Sequence, residues 1–331
     1  MTPLGVGVIG LGVGEAHARA YLALPACRLR WLYDLDGDRA RRMAAALAQG
    51  DVAPNVEAIL DDPDVHIVSI ASYDDAHFEQ VMKALRAGKH VFVEKPLCRT
   101  VEELGLIKDA WQRAGVHLAS NLVLRAAPLY RWLKDAVDAG RFGDVYAVDG
   151  DYLYGRLPKI TEGWRGQVSD YSVLEGGGVH LVDLMLWLTG QQPRRVTGAG
   201  NRLCTDDTAF RYDDYQAATF QFPSSLVGRI SANFGCVHPH QHVLRVFGTR
   251  ATLIHDDQGS RLFSSRDGRP ERLDLVSLPA SKGDLIPAFV DRIVSRLDPA
   301  AAAQHDFNVI SACAAADRAA RSGEAIDVLY V

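Results

Sequence analysis

The 331-residue chain lacks the marks of several protein classes. Its five cysteines (Cys27, Cys98, Cys204, Cys236 and Cys313) are scattered, odd in number and form no CxxC pair. That argues against a disulfide framework and fits a reducing compartment. No stretch approaches the roughly 18 consecutive apolar residues of a membrane span. The opening MTPLGVGVIGLGVG has no basic leader and is broken by glycines, so it reads as a buried strand and its turn rather than a signal peptide. A cytoplasmic location is the expectation. Basic residues do not dominate either: 36 Lys and Arg stand against 41 Asp and Glu, a formal net charge of -5, which offers no stripe for nucleic acid. Internal repeats and low-complexity linkers are absent. What remains, 48% apolar and 23% charged residues, is an ordinary globular composition, long enough for two domains.

The first 120 residues alternate strand and helix patterns. Strands are expected at Leu4–Ile9, Leu29–Tyr33, Val65–Ala71, His90–Glu94 and Val116–Ser120, and helices at Val13–Leu24, Asp38–Ala48, Asp75–Ala87 and Val101–Ala114. Such alternation predicts an α/β domain with a parallel sheet covered on both faces. After about Asn121 the pattern changes. A helix over Pro128–Ala139, an alternating strand over Asp144–Tyr154, a polar and aromatic loop over Gly155–Tyr171 and a helix over Val179–Leu188 lead into short strands between Arg195 and Phe263. Helices near Leu285–Leu297 and Phe307–Arg321 close the chain. The expectation is a Rossmann domain over 1–121 and, over 122–331, an α/β domain with a mainly antiparallel open sheet.

The first strand runs into Gly10-Leu11-Gly12-Val13-Gly14. Glycines there permit a tight turn and let backbone approach a pyrophosphate, and the following helix supplies free N–H groups and a favourable dipole. The spacing departs from GxGxxG, since the third glycine position holds Glu15 and Gly14 stands one residue earlier. The second strand ends at Asp34, 24 residues after Gly10. A carboxylate there can accept both ribose hydroxyls and repels a 2′-phosphate, which favours NAD over NADP. Arg39, Arg41 and Arg42 follow closely and can neutralise a phosphate, or simply form a solvated helix face.

Another strand delivers Glu94-Lys95-Pro96. Ligands of open parallel sheets bind beyond the carboxyl ends of strands, where a lysine can donate to a reacting oxygen and stabilise negative charge. The position alone fits a surface lysine equally well.

With these residues the chain resembles the Gfo/Idh/MocA oxidoreductase family. The resemblance rests on GVIGLGVGEAHA at 7–18, Asp34, AGKHVFVEKPL at 87–97, SNLVLRAAP at 120–128, GDVYAVDGDY at 143–152 and EGGGVHLVDLMLWLTG at 175–190. It implies that Lys95 is catalytic, that the peptide bond after it is cis, and that His180 takes the substrate hydroxyl proton, a task suited to an imidazole. It also implies dinucleotide contacts at Gly10, Gly12, Val13, Gly14, Asp34, Ser72, His77, Glu94 and Lys95. Many members carry an aspartate four residues before the histidine; here that position is Gly176, with Glu175 beside it and Asp183 one helical turn beyond His180.

Substrate candidates are Asn121, Arg125, Tyr154, Arg156, Lys159, Trp164, Arg165 and Asp183, since aromatic rings stack on sugars and Arg or Lys bind hydroxyls or phosphate. A lid or an oligomer contact is an equal reading of the loop residues. His238, His240 and His242 alternate like metal ligands on one strand face, but Pro239 interrupts them, and no metal is expected. The acid pairs Asp61-Asp62, Asp206-Asp207, Asp213-Asp214 and Asp256-Asp257 read as solvated turns. The expected function is NAD(P)-dependent oxidation and reduction of a secondary alcohol on a sugar, inositol or sugar derivative, in a homodimer or homotetramer. The alternatives are redox-neutral glycoside cleavage with tightly held NAD, a regulatory NAD-binding protein, and reduction of non-sugar substrates.

Overall fold

The structure is a computed structural model that describes residues 2–168 and 170–331. The chain divides into two compact units, one of residues 1–126 with 279–307 and 331, the other of 127–278 with 308–330.

The first unit begins with β1 (Leu4–Ile9), α1 (Gly14–Leu22), β2 (Cys27–Tyr33), α2 (Gly37–Leu47), β3 (Asp51–Val52) and α3 (Val56–Asp61). It continues with β4 (Val65–Ile70), α4 (His77–Arg86), β5 (His90–Val93), α5 (Val101–Ala114) and β6 (Leu118–Ser120). The six strands form a sheet in the order β3-β2-β1-β4-β5-β6, and every pair is parallel. Strands covered on both faces read as unbroken apolar runs, and Val6, Val8, Ile67, Val68, Ile70, Val91 and Phe92 are all essentially inaccessible to solvent. The edge strand β3 and the short α3 were not expected from the sequence, because two paired residues and a six-residue helix are too short to show a period. Strand order reverses between β1 and β4, which makes the carboxyl ends of those strands the topological switch point where α/β sheets hold ligands.

The second unit opens with α6 (Pro128–Asp138), β7 (Val145–Leu153), α7 (Pro158–Thr161) and α8 (Val179–Thr189), with a wide π-turn over Leu174–Gly178 just before α8. Then come β8 (Arg195–Asn201), β9 (Tyr215–Gln221), β10 (Val227–Asn233), β11 (Gln241–Gly248), β12 (Thr252–Asp256), β13 (Gly259–Phe263) and β14 (Glu271–Leu273). The rest of the chain forms α9 (Ile286–Val294), α10 (Ala300–Ser322) and β15 (Ile326–Asp327). Nine strands line up as β14-β13-β12-β11-β7-β10-β9-β8-β15. All pairs are antiparallel except β7 with β10, so the sheet is mixed.

Gly150 of β7 lets α8 come close: a Cβ there would lie 3.2 Å from Leu181. Helix α8 is apolar almost all round and is buried along nearly its whole length, as such a helix must be. The opposite face of the sheet is more polar, with Asp149 paired to Arg229 at 3.0 Å and Asp151 to Arg245 at 3.1 Å.

Three sequence expectations change. The segment 279–307, assigned to the C-terminal domain, counts with the first unit, because Ile286, Phe289 and Val290 of α9 join the core of Val6, Leu29 and Phe92. Helix α10 begins at Ala300 rather than Phe307; Asp298 accepts the Ala300 N–H at 2.9 Å, and the alanines that follow are the strongest helix formers. Two of the supposed turn acids are anchored instead. Asp214 is fully buried and accepts from Thr205 Oγ1 at 3.0 Å, and Asp62 accepts from Trp31 Nε1 at 2.7 Å. Among the described residues no helix is long and apolar enough to cross a membrane.

Candidate active site

At the switch point the turn after β1 approaches the end of β4 so closely that only glycine fits. Gly10 has φ +82°, and a Cβ on it would lie 2.6 Å from the Ala71 carbonyl carbon. Gly12 is exposed and meets nothing within 4 Å, which leaves open space above the loop. Val13 is half-exposed, and no side chain caps α1, which starts at Gly14. These are the features a pyrophosphate cradle requires: accessible backbone, an uncapped helix start and no side chain in the way.

Asp34 closes one side of this loop. Its Oδ2 accepts the Leu11 N–H at 2.7 Å and its Oδ1 accepts the Asp36 N–H at 2.8 Å. Arg39 lies 3.2 Å from the same carboxylate, Arg41 pairs with Asp38 at 2.6 Å and Arg42 with Asp36 at 3.8 Å. All three arginines therefore have a carboxylate partner.

The end of β5 is held by a buried polar network. Asn121 Nδ2 donates to Glu94 Oε1 at 2.6 Å and to the Lys282 carbonyl at 2.8 Å. Buried His17 lies with Nε2 3.2 Å from Glu94 Oε1 and Nδ1 3.0 Å from Ser69 Oγ. Donation from Nε2 to the carboxylate leaves Nδ1 to accept the serine hydroxyl. Burial alone would push the Glu94 carboxyl up, but His17, the neighbouring Lys95 charge and the Asn121 amide outweigh it and hold the group down at about 2. Glu94 is thus a buried anion immediately before Lys95, and the Lys95-Pro96 peptide bond is cis.

His77 is fully buried, with Nδ1 2.7 Å from the Pro96 carbonyl and Nε2 3.2 Å from that of Ser72. It clasps the loop after β4 to the turn that carries Lys95. Ser72 itself donates from Oγ to Gln80 Oε1 at 2.7 Å. Arg125 is held 3.3 Å from Asp306, which also accepts the Ser120 N–H at 2.7 Å.

The second unit gathers a different set. His180, 6% exposed, is the second residue of α8, and its ring meets that of His242 edge-on at 5.9 Å. His240 and His242 each pack against Tyr152 at 5.2 Å, and Tyr152 stacks on Tyr154 at 5.8 Å. Arg156 lies over the Tyr154 ring at 5.4 Å and Arg165 over Trp164 at 4.5 Å, so part of the aromatic and cationic loop set forms stacked pairs. Lys159 is exposed on α7. Asp183 is fully buried beside Cys313 of α10, whose thiol is pushed up by burial and by the nearby Glu175, Asp183 and Asp317 carboxylates.

The three alternating histidines do not share one strand face. Strand β11 starts only at Gln241, and His238 turns aside to Asp257 at 3.2 Å. Among the described residues no group of three or more His, Cys, Asp or Glu is arranged to hold a metal ion.

Sequence reasoning missed His17. Its signal is its place on the first turns of α1, on the buried side facing β4 and β5, but a helix histidine carries no chemistry until its partner is known. It also missed what the glycines at 176 and 177 accommodate. A Cβ on Gly176 would overlap the Tyr171 hydroxyl, and one on Gly177 would overlap the Tyr152 ring.

Residues 4–122 match the model of the GFO/IDH/MocA oxidoreductase family's NAD-binding Rossmann fold, and residues 130–254 match its C-terminal domain. The chain belongs to the GFO/IDH/MocA oxidoreductase family. Among relatives in this family, a levoglucosan dehydrogenase of Pseudarthrobacter phenanthrenivorans is 31% identical over 58% of this chain and 52% of its own length. The match therefore spans about half of that relative. A myo-inositol 2-dehydrogenase of Thermotoga maritima is 25% identical over 76% of this chain and 75% of its own. The solved structure of a levoglucosan dehydrogenase with NADH and levoglucosan superposes with a TM-score of 0.87 at 21% identity, covering 100% of both chains, which shows the shared fold.

Proposed function

We propose that this chain reversibly oxidises a secondary alcohol of a sugar, inositol or sugar derivative, with NAD as the hydride acceptor. The observation that carries the reading is the held end of β5, where Glu94 is fixed from two sides by His17 and Asn121 and Lys95 follows at once. A lysine next to so rigid and charged a support is prepared to donate to a substrate oxygen and to stabilise charge on it. His180 accepts the hydroxyl proton. Relatives named for levoglucosan and for inositols support this substrate class.

Gly10, Gly12, Val13 and Gly14 hold the pyrophosphate and Asp34 the adenosine ribose, with Ser72 beside them. NAD, when bound, supplies the nicotinamide that takes up the hydride. NAD is preferred to NADP because Asp34 repels a 2′-phosphate and the three nearby arginines are already engaged by carboxylates. Glu94 and Lys95 border the cofactor's reactive end, and His77 keeps their turn in place. The substrate meets the Tyr154, Arg156, Trp164 and Arg165 side, and the open face of the mixed sheet joins copies of the chain into a homodimer or homotetramer.

The test is a panel of sugars and inositols, levoglucosan included, offered with NAD and with NADP and read as reduced-cofactor absorbance. Reduction of NAD by at least one ring polyol is expected. No reduction by any of them, with NAD retained through purification, would move the reading to redox-neutral chemistry. A monomer by light scattering at micromolar concentration would remove the oligomer.

A further inference from the structure

Two imidazoles take the place of backbone carbonyls at the amino ends of the parallel strands. The register of β1 on β4 shifts between Gly5 and Val6, which leaves His66 without a partner in β1, and its Nδ1 accepts the Gly5 N–H at 3.1 Å. Between β5 and β6 the Val91 N–H donates to the His117 carbonyl at 2.8 Å, and the His117 N–H donates to His90 Nδ1 at 3.0 Å. Leu118 pairs with Val91, so this last bond lies one residue ahead of the β5–β6 pairing. A backbone N–H can only donate. Each Nδ1 must therefore keep its lone pair, and each of these rings is neutral with its proton on Nε2.

The His90 bond closes a short pair of strands. β5 has four residues and β6 three. At the far end of the pair the Asn121 N–H donates to the Val93 carbonyl at 2.7 Å, and the Asn121 side chain goes on to Glu94. The start of the pair is thus held by an imidazole and its end carries the Glu94 knot. His90 is half-buried, His117 is 7% exposed, and their rings lie 5.4 Å apart.

The charged and titratable groups around the two rings come from four places. β4 brings His66, and β6 is preceded by His117 itself. Lys89, next to His90 in sequence, is buried with Nζ on the Asp62 and Val65 carbonyls at 2.8 Å each, near the Asp61 and Asp62 carboxylates. Arg292 of α9 and Asp298 beyond it act on His117 with opposite signs. Burial, then the His117 and His66 rings, hold His90 down at about 4, from an ordinary 6.5.

We infer that His90 is an acid-operated latch between β5 and β6. A solvent proton arriving on its Nδ1 removes the acceptor of the His117 N–H and sets two N–H groups against each other. The start of β6 then comes loose, and the release runs along its three residues to Asn121 and its hold on Glu94. The folded chain keeps His90 neutral well below the pH at which an unfolded chain would protonate it. The latch is therefore complete above about pH 6.5 and is lost as pH falls from there toward 4. It holds whatever reaction the site performs.

The experiment measures amide hydrogen exchange of the full-length protein between about pH 7 and 4, each amide's protection being taken relative to an unstructured chain at the same pH. Protection of the His117 and Asn121 amides is expected to fall about tenfold for each pH unit between about 6 and 4, the slope of one proton taken up on opening. Val6 and Val8, in the middle of β1, are expected to stay protected. His90→Asn, which offers an oxygen acceptor that does not titrate in this range, is expected to remove the slope. Protection at His117 that does not change with pH in the wild type overturns the inference, and so does an equal slope in His90→Asn. Loss at His117 with Asn121 still protected overturns the release along β6. Simultaneous loss in β1 shows global unfolding and overturns the latch as well. If His90→Asn does not fold, the wild-type profile alone still decides between these outcomes.

Discussion

The strand-end cluster around Glu94 and the ring cluster around His180 are built on opposite principles. The first is a hydrogen-bonded knot of buried charge: a carboxylate, an imidazole, an amide and a serine, each bonded to another. The second is a stack of aromatic and imidazole rings around a ridge of bare backbone, where Tyr171 and Tyr152 stand over Gly176 and Gly177. Charge networks fail when one partner is removed, because the remaining charge stays buried. Ring packing fails when volume is added, because interiors are close-packed. The two regions should therefore answer to opposite kinds of substitution.

The largest effects should come from the two residues proposed to act on the substrate, whichever cluster supports them. Lys95→Ala and His180→Ala are each expected to slow turnover about a hundredfold to ten-thousandfold, the usual worth of acid–base assistance, with NAD affinity by fluorescence titration nearly intact. Wild-type rates in either variant would remove that residue from the mechanism.

Next in size is the charge knot. His17→Leu deletes the imidazole beside the buried Glu94 carboxylate, and a loss of about 3 kcal/mol in urea unfolding at pH 7 is expected. The pH dependence sharpens the point. The Glu94 pKa is held at about 2, below its ordinary 4.5, so its contribution is complete above about pH 4.5 and is lost as pH falls toward 2. Wild type and His17→Leu should therefore converge in stability across that interval. A gap that stays constant down to pH 2 would show that His17 acts by packing alone, and the contrast between the two regions would collapse.

The ring cluster is expected to yield to addition. Gly177→Ala places a methyl within the Tyr152 ring, and overpacking of this kind costs about 1–3 kcal/mol, visible as a lower melting temperature. Gly176→Asp restores the carboxylate common in the family but collides with the Tyr171 phenol, so activity should fall rather than rise. A rise would mean that Tyr171 swings away at little cost.

The smallest effect belongs to the cofactor loop. If Asp34 sets the proposed preference for NAD over NADP, Asp34→Ala should narrow it about tenfold, because the carboxylate proposed to accept the ribose hydroxyls and to repel a 2′-phosphate is gone. Equal affinity for both cofactors in the unaltered protein would contradict the role given to Asp34.

Local pattern was enough to read much of this molecule. The apolar strands, the glycine turn after β1, Asp34 at the end of β2 and Lys95 at the end of β5 follow from periodicity and from spacing along consecutive residues, because a parallel sheet puts its ligand site wherever its strands end. What the sequence could not supply is which distant residues meet. His17 and Glu94 are 77 positions apart, Asn121 reaches a carbonyl 161 positions away, and the segment 279–307 packs with strands from the first third of the chain. Gly176 is the clearest case. As a sequence position it reads as a missing carboxylate, whereas in the fold it is the space that Tyr171 fills, and only the packing of rings around α8 decides between the two.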